Sequence, residues 1–130
     1  MRVIYLDNNA TTMVAPLVFE AMRPFLTEYY GNPSSMHSFG GNVAPHVARA
    51  RASLAELLGA SPQEIVFTSG GTESDATAIL SALATMPERR EIVTTRVEHP
   101  AVLNLCKHLA RDRGYTVRWL SVDKEGLLDM

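Results

Sequence analysis

Glu64-Ile65-Val66-Phe67-Thr68, Glu91-Ile92-Val93-Thr94-Thr95 and Tyr115-Thr116-Val117-Arg118-Trp119-Leu120 are the three runs that decide the fold. Each is rich in β-branched and aromatic residues, the side chains that suit a pleated, half-buried surface. Each therefore reads as a strand, the first of them buried. Helical stretches from about Glu73 to Thr85 and from Pro100 to Arg113 separate them, the second closed by Gly114. A parallel neighbour is reached only by a long return over one face of the sheet. Strand–helix–strand–helix–strand thus predicts an α/β chain with a mainly parallel sheet and right-handed crossovers.

Upstream, Val47, Ala50, Leu54, Leu57 and Leu58 recur at helical spacing and predict a helix from about Asn42 to Leu58, stopped by Gly59. A further helical pattern runs from about Pro16 to Tyr30. Pro16 suits its first position, and Pro24 should interrupt or kink it, since proline removes a backbone donor. Between the two helices, Gly31-Asn32-Pro33-Ser34-Ser35 has the composition of a loop. The chain opens with an apolar stretch, Val3 to Leu6, and a polar turn, Asp7-Asn8-Asn9-Ala10-Thr11-Thr12. It closes at Leu127-Leu128-Asp129-Met130 with nothing resembling a capping element for the sheet edge. The expectation is the front part of a larger α/β protein.

Composition narrows the functional classes. Among 130 residues, 46% are hydrophobic and 20% charged, which excludes a disordered or collagen-like chain. A net charge of −2 gives no basic field for nucleic acid or an anionic membrane, so neither partner is expected. No apolar run approaches the ~18 residues of a membrane span. Asp7 ends the first apolar stretch before a signal-peptide core of ~7–15 residues can form. The single cysteine, Cys106, cannot make an internal disulfide, which fits a reducing, cytoplasmic setting and leaves the Asn9-Ala10-Thr11 sequon idle.

The strongest chemical signal is Phe67-Thr68-Ser69-Gly70-Gly71-Thr72-Glu73-Ser74, a strand running through two glycines and a hydroxyl into a helix. Exposed N–H groups and the helix dipole there can seat a phosphate or another anion. The same residues serve equally well as an ordinary strand–helix turn with Thr72 as its N-cap. The spacing is neither a Walker A loop nor a dinucleotide fingerprint. The second signal is Val97-Glu98-His99-Pro100-Ala101-Val102, at the end of the next strand. Ligands of open parallel sheets bind outside the carboxyl ends of strands. His99 and the Thr72 turn are therefore expected on one sheet edge, on adjacent strands. His99 could stack on a flat ring and exchange protons near neutral pH, or simply cap the helix. The four histidines show no metal-ligand spacing, so no metal is expected. Cys106, inside a helix, reads as packed and inert.

Taken together, Tyr5-Leu6-Asp7-Asn8-Asn9-Ala10-Thr11-Thr12, Gly31-Asn32-Pro33-Ser34-Ser35 with His37, the Phe67–Ser74 turn and Glu98-His99-Pro100-Ala101-Val102 occur in an order that resembles one family. The chain is similar to the N-terminal third of cysteine desulfurases, class V members of the fold-type I pyridoxal-phosphate enzymes. The Asp7-Asn8-Asn9 opening and the run Asp75 to Leu83 look most like the nitrogen-fixation type. The resemblance implies a three-layer α-β-α fold, with residues 1–14 belonging to a small domain and 15–130 opening the large cofactor-binding domain. It implies pyridoxal 5'-phosphate as cofactor, its phosphate held by the Gly71 N–H and the Thr72 hydroxyl. His99 would stack on the ring and take part in proton transfers. Asn8, Asn9, Ala10, Thr11 and Asn32 would border the substrate entrance. L-cysteine would give L-alanine and an enzyme persulfide, whose sulfur passes to an iron–sulfur scaffold protein. A homodimer is implied as well.

The family's cofactor-anchoring lysine follows a Ser-x-His-Lys-type motif, and neither Lys107 nor Lys124, the only lysines, has that context. Its persulfide cysteine sits on a downstream loop, which Cys106 does not match. Both are expected beyond Met130, so the 130 residues alone should not turn over cysteine. A selenocysteine lyase or other class V enzyme, and a non-catalytic phosphate-binding domain on the same fold, are the alternative readings.

Overall fold

The computed structural model describes residues 3–129. The chain divides into two compact units, one reaching to Val66 and the other beginning at Phe67.

The first unit is helical. Helix α1 (Pro16–Thr27) starts on Pro16, whose fixed φ suits a first helical position. Pro24 neither breaks nor ends it. The Glu28 and Tyr29 N–H groups close onto the Pro24 carbonyl at 2.7 and 2.8 Å, so only the proline's own missing donor is lost. The helix ends three residues before the expected Tyr30.

The expected helix from Asn42 is two elements, a single turn α2 (Ser38–Gly41) and α3 (Ala44–Leu58). Pro45 falls in the first turn of α3, where its absent N–H costs nothing. Rings at the end of α1 meet the start of α3: the His46 ring lies 5.0 Å from Phe25 and 4.8 Å from Tyr29. Of the expected α3 stripe, Leu57 is 80% exposed, and the buried residue of the helix is Ala55. Gly59 stops α3 as expected, at φ +66°, where an L side chain is strained.

Gly40 is buried for a different reason. A Cβ built there would lie 2.4 Å from the Asn32 carbonyl oxygen and 2.6 Å from the Ser35 Cβ. Gly40→Ala should therefore destabilise the first unit by about 1–3 kcal/mol, the usual cost of overpacking. Gly41→Ala, which meets nothing within 4 Å, should be neutral or mildly stabilising, because alanine favours helix more than glycine does. Chemical denaturation of the two variants checks the pair, and equal midpoints would contradict the close approach.

The second unit carries the parallel sheet. Helix α4 (Gly71–Thr85) leads to strand β1 (Glu91–Thr95), then to α5 (Pro100–Arg113) and strand β2 (Thr116–Leu120). β1 pairs with β2 in parallel, from Glu91 opposite Thr116 to Thr95 opposite Leu120. In β2, Val117 and Trp119 are half-buried between exposed neighbours, the period-two signature of a strand with one covered face. α5 crosses between the strands and buries Cys106 and Leu109. Gly114, at φ +70°, terminates it. The Cys106 thiol is buried and its pKa is pushed up, chiefly by desolvation and also by the Glu98 charge. The packing expected of Cys106 is what the structure shows.

Two expectations fail in this unit and at its border. Ile65–Thr68 is not a strand: Pro62–Glu64 form a 3-10 turn, and the residues after it join no ladder. Their sequence suits a strand, but a strand exists only against a hydrogen-bonding neighbour. Both described strands pair with each other, and Val66 is 72% exposed. The chain after β2 also does more than trail off. Asp123 accepts from the Glu125 and Leu127 N–H groups at 2.9 Å, and Gly126 turns at φ +83°. Val122 then bridges Leu128 in antiparallel fashion.

Candidate active site

The turn into α4 is built by hydroxyls and one carboxylate. Ser69 donates to the Glu73 carboxylate twice, from its N–H at 2.7 Å and its hydroxyl at 2.6 Å. Thr68 Oγ1 donates to the Gly70 carbonyl at 3.3 Å and lies 2.6 Å from the Ser74 hydroxyl. The Ser69 hydroxyl, then its N–H, hold the Glu73 carboxyl below its ordinary value. A group whose folded value is depressed stabilises above the unfolded value and loses that effect as pH falls through the folded one. Glu73→Gln should therefore be less stable than the parent at neutral pH. The gap should close as the medium is acidified below the ordinary carboxylate value of 4.5. Denaturation at a series of pH values reads this directly, and a pH-independent gap would deny the clamp its charge.

This clamp leaves the helix N-terminus open. The N-cap is Gly70, not Thr72, and it supplies no side-chain cap. Thr72 sits one position inside the helix, exposed. No side-chain hydrogen bond occupies its hydroxyl or the N–H groups of Gly71, Thr72 and Glu73 among the described residues. The glycines do not serve a strained turn, since Gly70 is in extended backbone and neither has left-handed φ. What they provide is room: a Cβ on Gly70 or Gly71 would meet nothing within 4 Å. An anion can thus approach several unpaired N–H groups and one hydroxyl on the positive end of a four-turn helix.

His99 follows β1 at the start of α5. Its Nδ1 accepts the Ala101 N–H at 3.2 Å, so the ring caps the helix. With Nδ1 used as acceptor, the proton of the neutral ring belongs to Nε2. The bend before it is held by Thr95, which bonds the Val97 N–H at 3.3 Å and reaches Glu98 at 3.4 Å. The expected adjacency of the strands before His99 and Thr72 does not hold, because Ile65–Thr68 joins no ladder and the described sheet is β1 paired with β2. The two sites are related through helices instead. α4 and α5 pack on one another, and Leu80 and Leu83, in the C-terminal half of α4, share a cleft with Leu105 and Leu109, from the middle of α5 onward. The helices thus run alongside each other, with the Thr72 and His99 turns at their starts.

The remaining candidates belong to the first unit. Ala10 and Thr11 donate to the Asp7 carbonyl at 3.1 and 3.4 Å, and Thr12 bonds the Asn8 side chain at 3.1 Å. With Asn9 they form the polar turn the sequence announces, exposed throughout. Asn32 Oδ1 accepts from the Ser34 N–H at 2.9 Å, which shapes the loop. Sequence reading missed the Ser69–Glu73 clamp, although a serine four residues before a first-turn glutamate was the signal for it. It also missed the His108–Asp112 pair in α5, 2.7 Å apart and separated by one helical turn.

A β–α–β unit, an open, glycine-bordered helix N-terminus and a histidine beyond a strand's carboxyl end define an α/β protein whose helix start has room for an anion. Comparison with known proteins makes this specific. The aminotransferase class-V family profile matches residues 4–130, and the chain belongs to that family. It is 62% identical over 130 residues to a cysteine desulfurase of Nostoc sp. and 59% identical over 128 residues to cysteine desulfurase NifS of Azotobacter vinelandii. All of this chain and 98% of it are covered, respectively, against 32% of each relative. The chain therefore spans about a third of the length of the curated relatives it matches. Among solved structures, a NifS-like protein superposes with a TM-score of 0.89 at 43% identity, covering 99% of this chain and 35% of that one.

Proposed function

We propose that the protein carrying this chain is a pyridoxal-phosphate-dependent cysteine desulfurase of the nitrogen-fixation type. The observation that carries the reading is the 62% identity to a cysteine desulfurase over all 130 residues. A neighbouring fold, 37% identical over 90% of the chain, is that of SspA in complex with cysteine, which supports the substrate class.

The residues present fit the cofactor. The open start of α4 offers the Gly71 N–H and the Thr72 hydroxyl to its phosphate, with space beside both glycines for the group to come close. When bound, pyridoxal phosphate supplies the electron sink that carbon–sulfur cleavage requires. The chain's own part is to bind, orient and handle protons. His99 is fixed by its bond to Ala101, so its ring plane and its Nε2 proton are set before anything binds. Ring packing against the cofactor and proton exchange at Nε2 are its assigned roles. The Asn8–Thr11 turn and Asn32 border the substrate entrance.

In the net reaction, L-cysteine and an enzyme thiol give L-alanine and an enzyme persulfide, the sulfur moving from one carbon to the second sulfur. Delivery to an iron–sulfur scaffold protein, a homodimeric assembly and a cytoplasmic location complete the reading. Residues 1–14 belong with a small domain and 15–130 open the large one.

The test supplies L-cysteine and dithiothreitol to the cofactor-loaded protein and measures both products. Alanine and sulfide should appear in equal amounts. Pyruvate and ammonia in place of alanine, or turnover of selenocysteine alone, would overturn the assignment.

A further inference from the structure

We propose that the cleft between the C-terminal half of α4 and α5 from Leu105 onward is a second binding site, for a small carboxylate with an apolar tail. The cleft is open to solvent and has a volume of about 520 Å³ within the second unit, inside the ~300–1,000 Å³ range of small-molecule pockets. It lies at the opposite end of the helices from Thr72 and His99. Leu83 is eleven residues beyond Thr72, about 17 Å along the axis at 1.5 Å per residue.

Its lining separates by chemistry. Leu80, Leu83, Leu105 and Leu109 form the apolar part. The polar part carries two permanent cations: Arg90 and Arg113 line the cleft beside His108, and no Asp or Glu does. Arg90 is held in place by stacking over the Tyr115 ring, 4.7 Å from its centroid. Neither Arg90 nor Arg113 makes an ion pair among the described residues. Asp112, next to Arg113 in sequence, feels the Arg113 charge but takes its hydrogen bonds from Arg111, at 2.7 and 2.8 Å, and from His108. An ionised Asp112 can only accept, so His108 donates to it from Nδ1.

One effect opposes an anion here. Both helices end at the cleft, and a helix C-terminus carries about half a negative charge. On α5 the exposed carbonyls are partly spent, because the Tyr115 N–H donates to the Leu109 carbonyl at 3.2 Å. Two whole guanidinium charges outweigh two partial ones, and their planar forks match a carboxylate. A carboxylate head between the arginines, with its tail on the leucines, satisfies both halves of the lining. A neutral or cationic ligand leaves the arginines unanswered.

The test is calorimetric titration of the intact protein with decanoate. Acetate serves as the head without a tail, and decyltrimethylammonium as the tail with the charge reversed. Decanoate should bind and the other two should not. The Arg90→Gln/Arg113→Gln double variant should bind decanoate at least tenfold more weakly. Arg23→Gln, whose residue pairs with Glu20 on α1 and does not line the cleft, should stay within twofold of the parent. Far-UV circular dichroism confirms the fold of each variant. Absence of decanoate binding, equal affinity for decyltrimethylammonium, or an undiminished affinity in a folded double variant would overturn the proposal.

Discussion

Replacing His99 with alanine is expected to lower kcat for cysteine turnover by about 10²- to 10⁴-fold, the range for a positioned acid–base group. The structure shows one task for this side chain and the proposed function assigns it a second, and alanine removes both. Nδ1 caps α5 by accepting from Ala101, and losing an N-cap costs about 0.5–2 kcal/mol. The exposed ring and its Nε2 proton carry the second, proposed task. His99→Asn separates the tasks, because asparagine is among the best N-caps and has neither a flat ring nor a titrating nitrogen. The asparagine variant should regain the parent's thermal stability while remaining as slow as alanine. Recovery of rate along with stability would show that His99 contributes only a helix cap. A normal rate in the alanine variant would remove it from the reaction altogether.

The same two-task reading shows how far the sequence carries. Residues whose roles are set by neighbours in the chain were legible: Pro16 and Gly114 mark helix ends, and Gly31–Ser35 forms a loop. Cys106 is buried on the inner side of α5 as its position required. Residues whose roles depend on a distant partner were not. Ile65–Thr68 has strand composition and no ladder, because β-propensity records fit to a surface and cannot provide the adjacent strand. The α3 stripe failed similarly: helical spacing identifies the face, but burial of Leu57 and Leu58 needs an opposing element. At the candidate site, Gly71, Thr72 and His99 were identifiable because a strand end followed by a helix start is a local pattern. The role of Thr72 was open to two readings because the cap position can shift by one or two residues. That shift placed the cap on Gly70 and left the hydroxyl free.

The free hydroxyl leads to the second large effect. Thr72→Val is expected to weaken retention of pyridoxal phosphate by about 10- to 150-fold, since a hydrogen bond to a charged group contributes ~1.5–3 kcal/mol. The position allows a clean measurement. Thr72 is exposed and caps nothing, so its loss leaves no buried group unsatisfied in the unliganded chain. Valine is also β-branched, with a helix propensity close to that of threonine. Folding stability without cofactor should therefore stay near the parent's, and the deficit should appear only in cofactor titration. Thr72→Ser restores the hydroxyl without the methyl group and should recover most of the affinity. If the valine variant keeps its cofactor, the N–H groups at the start of α4 hold the phosphate alone. If serine fails to rescue, the methyl group rather than the hydroxyl is what the phosphate site requires of residue 72.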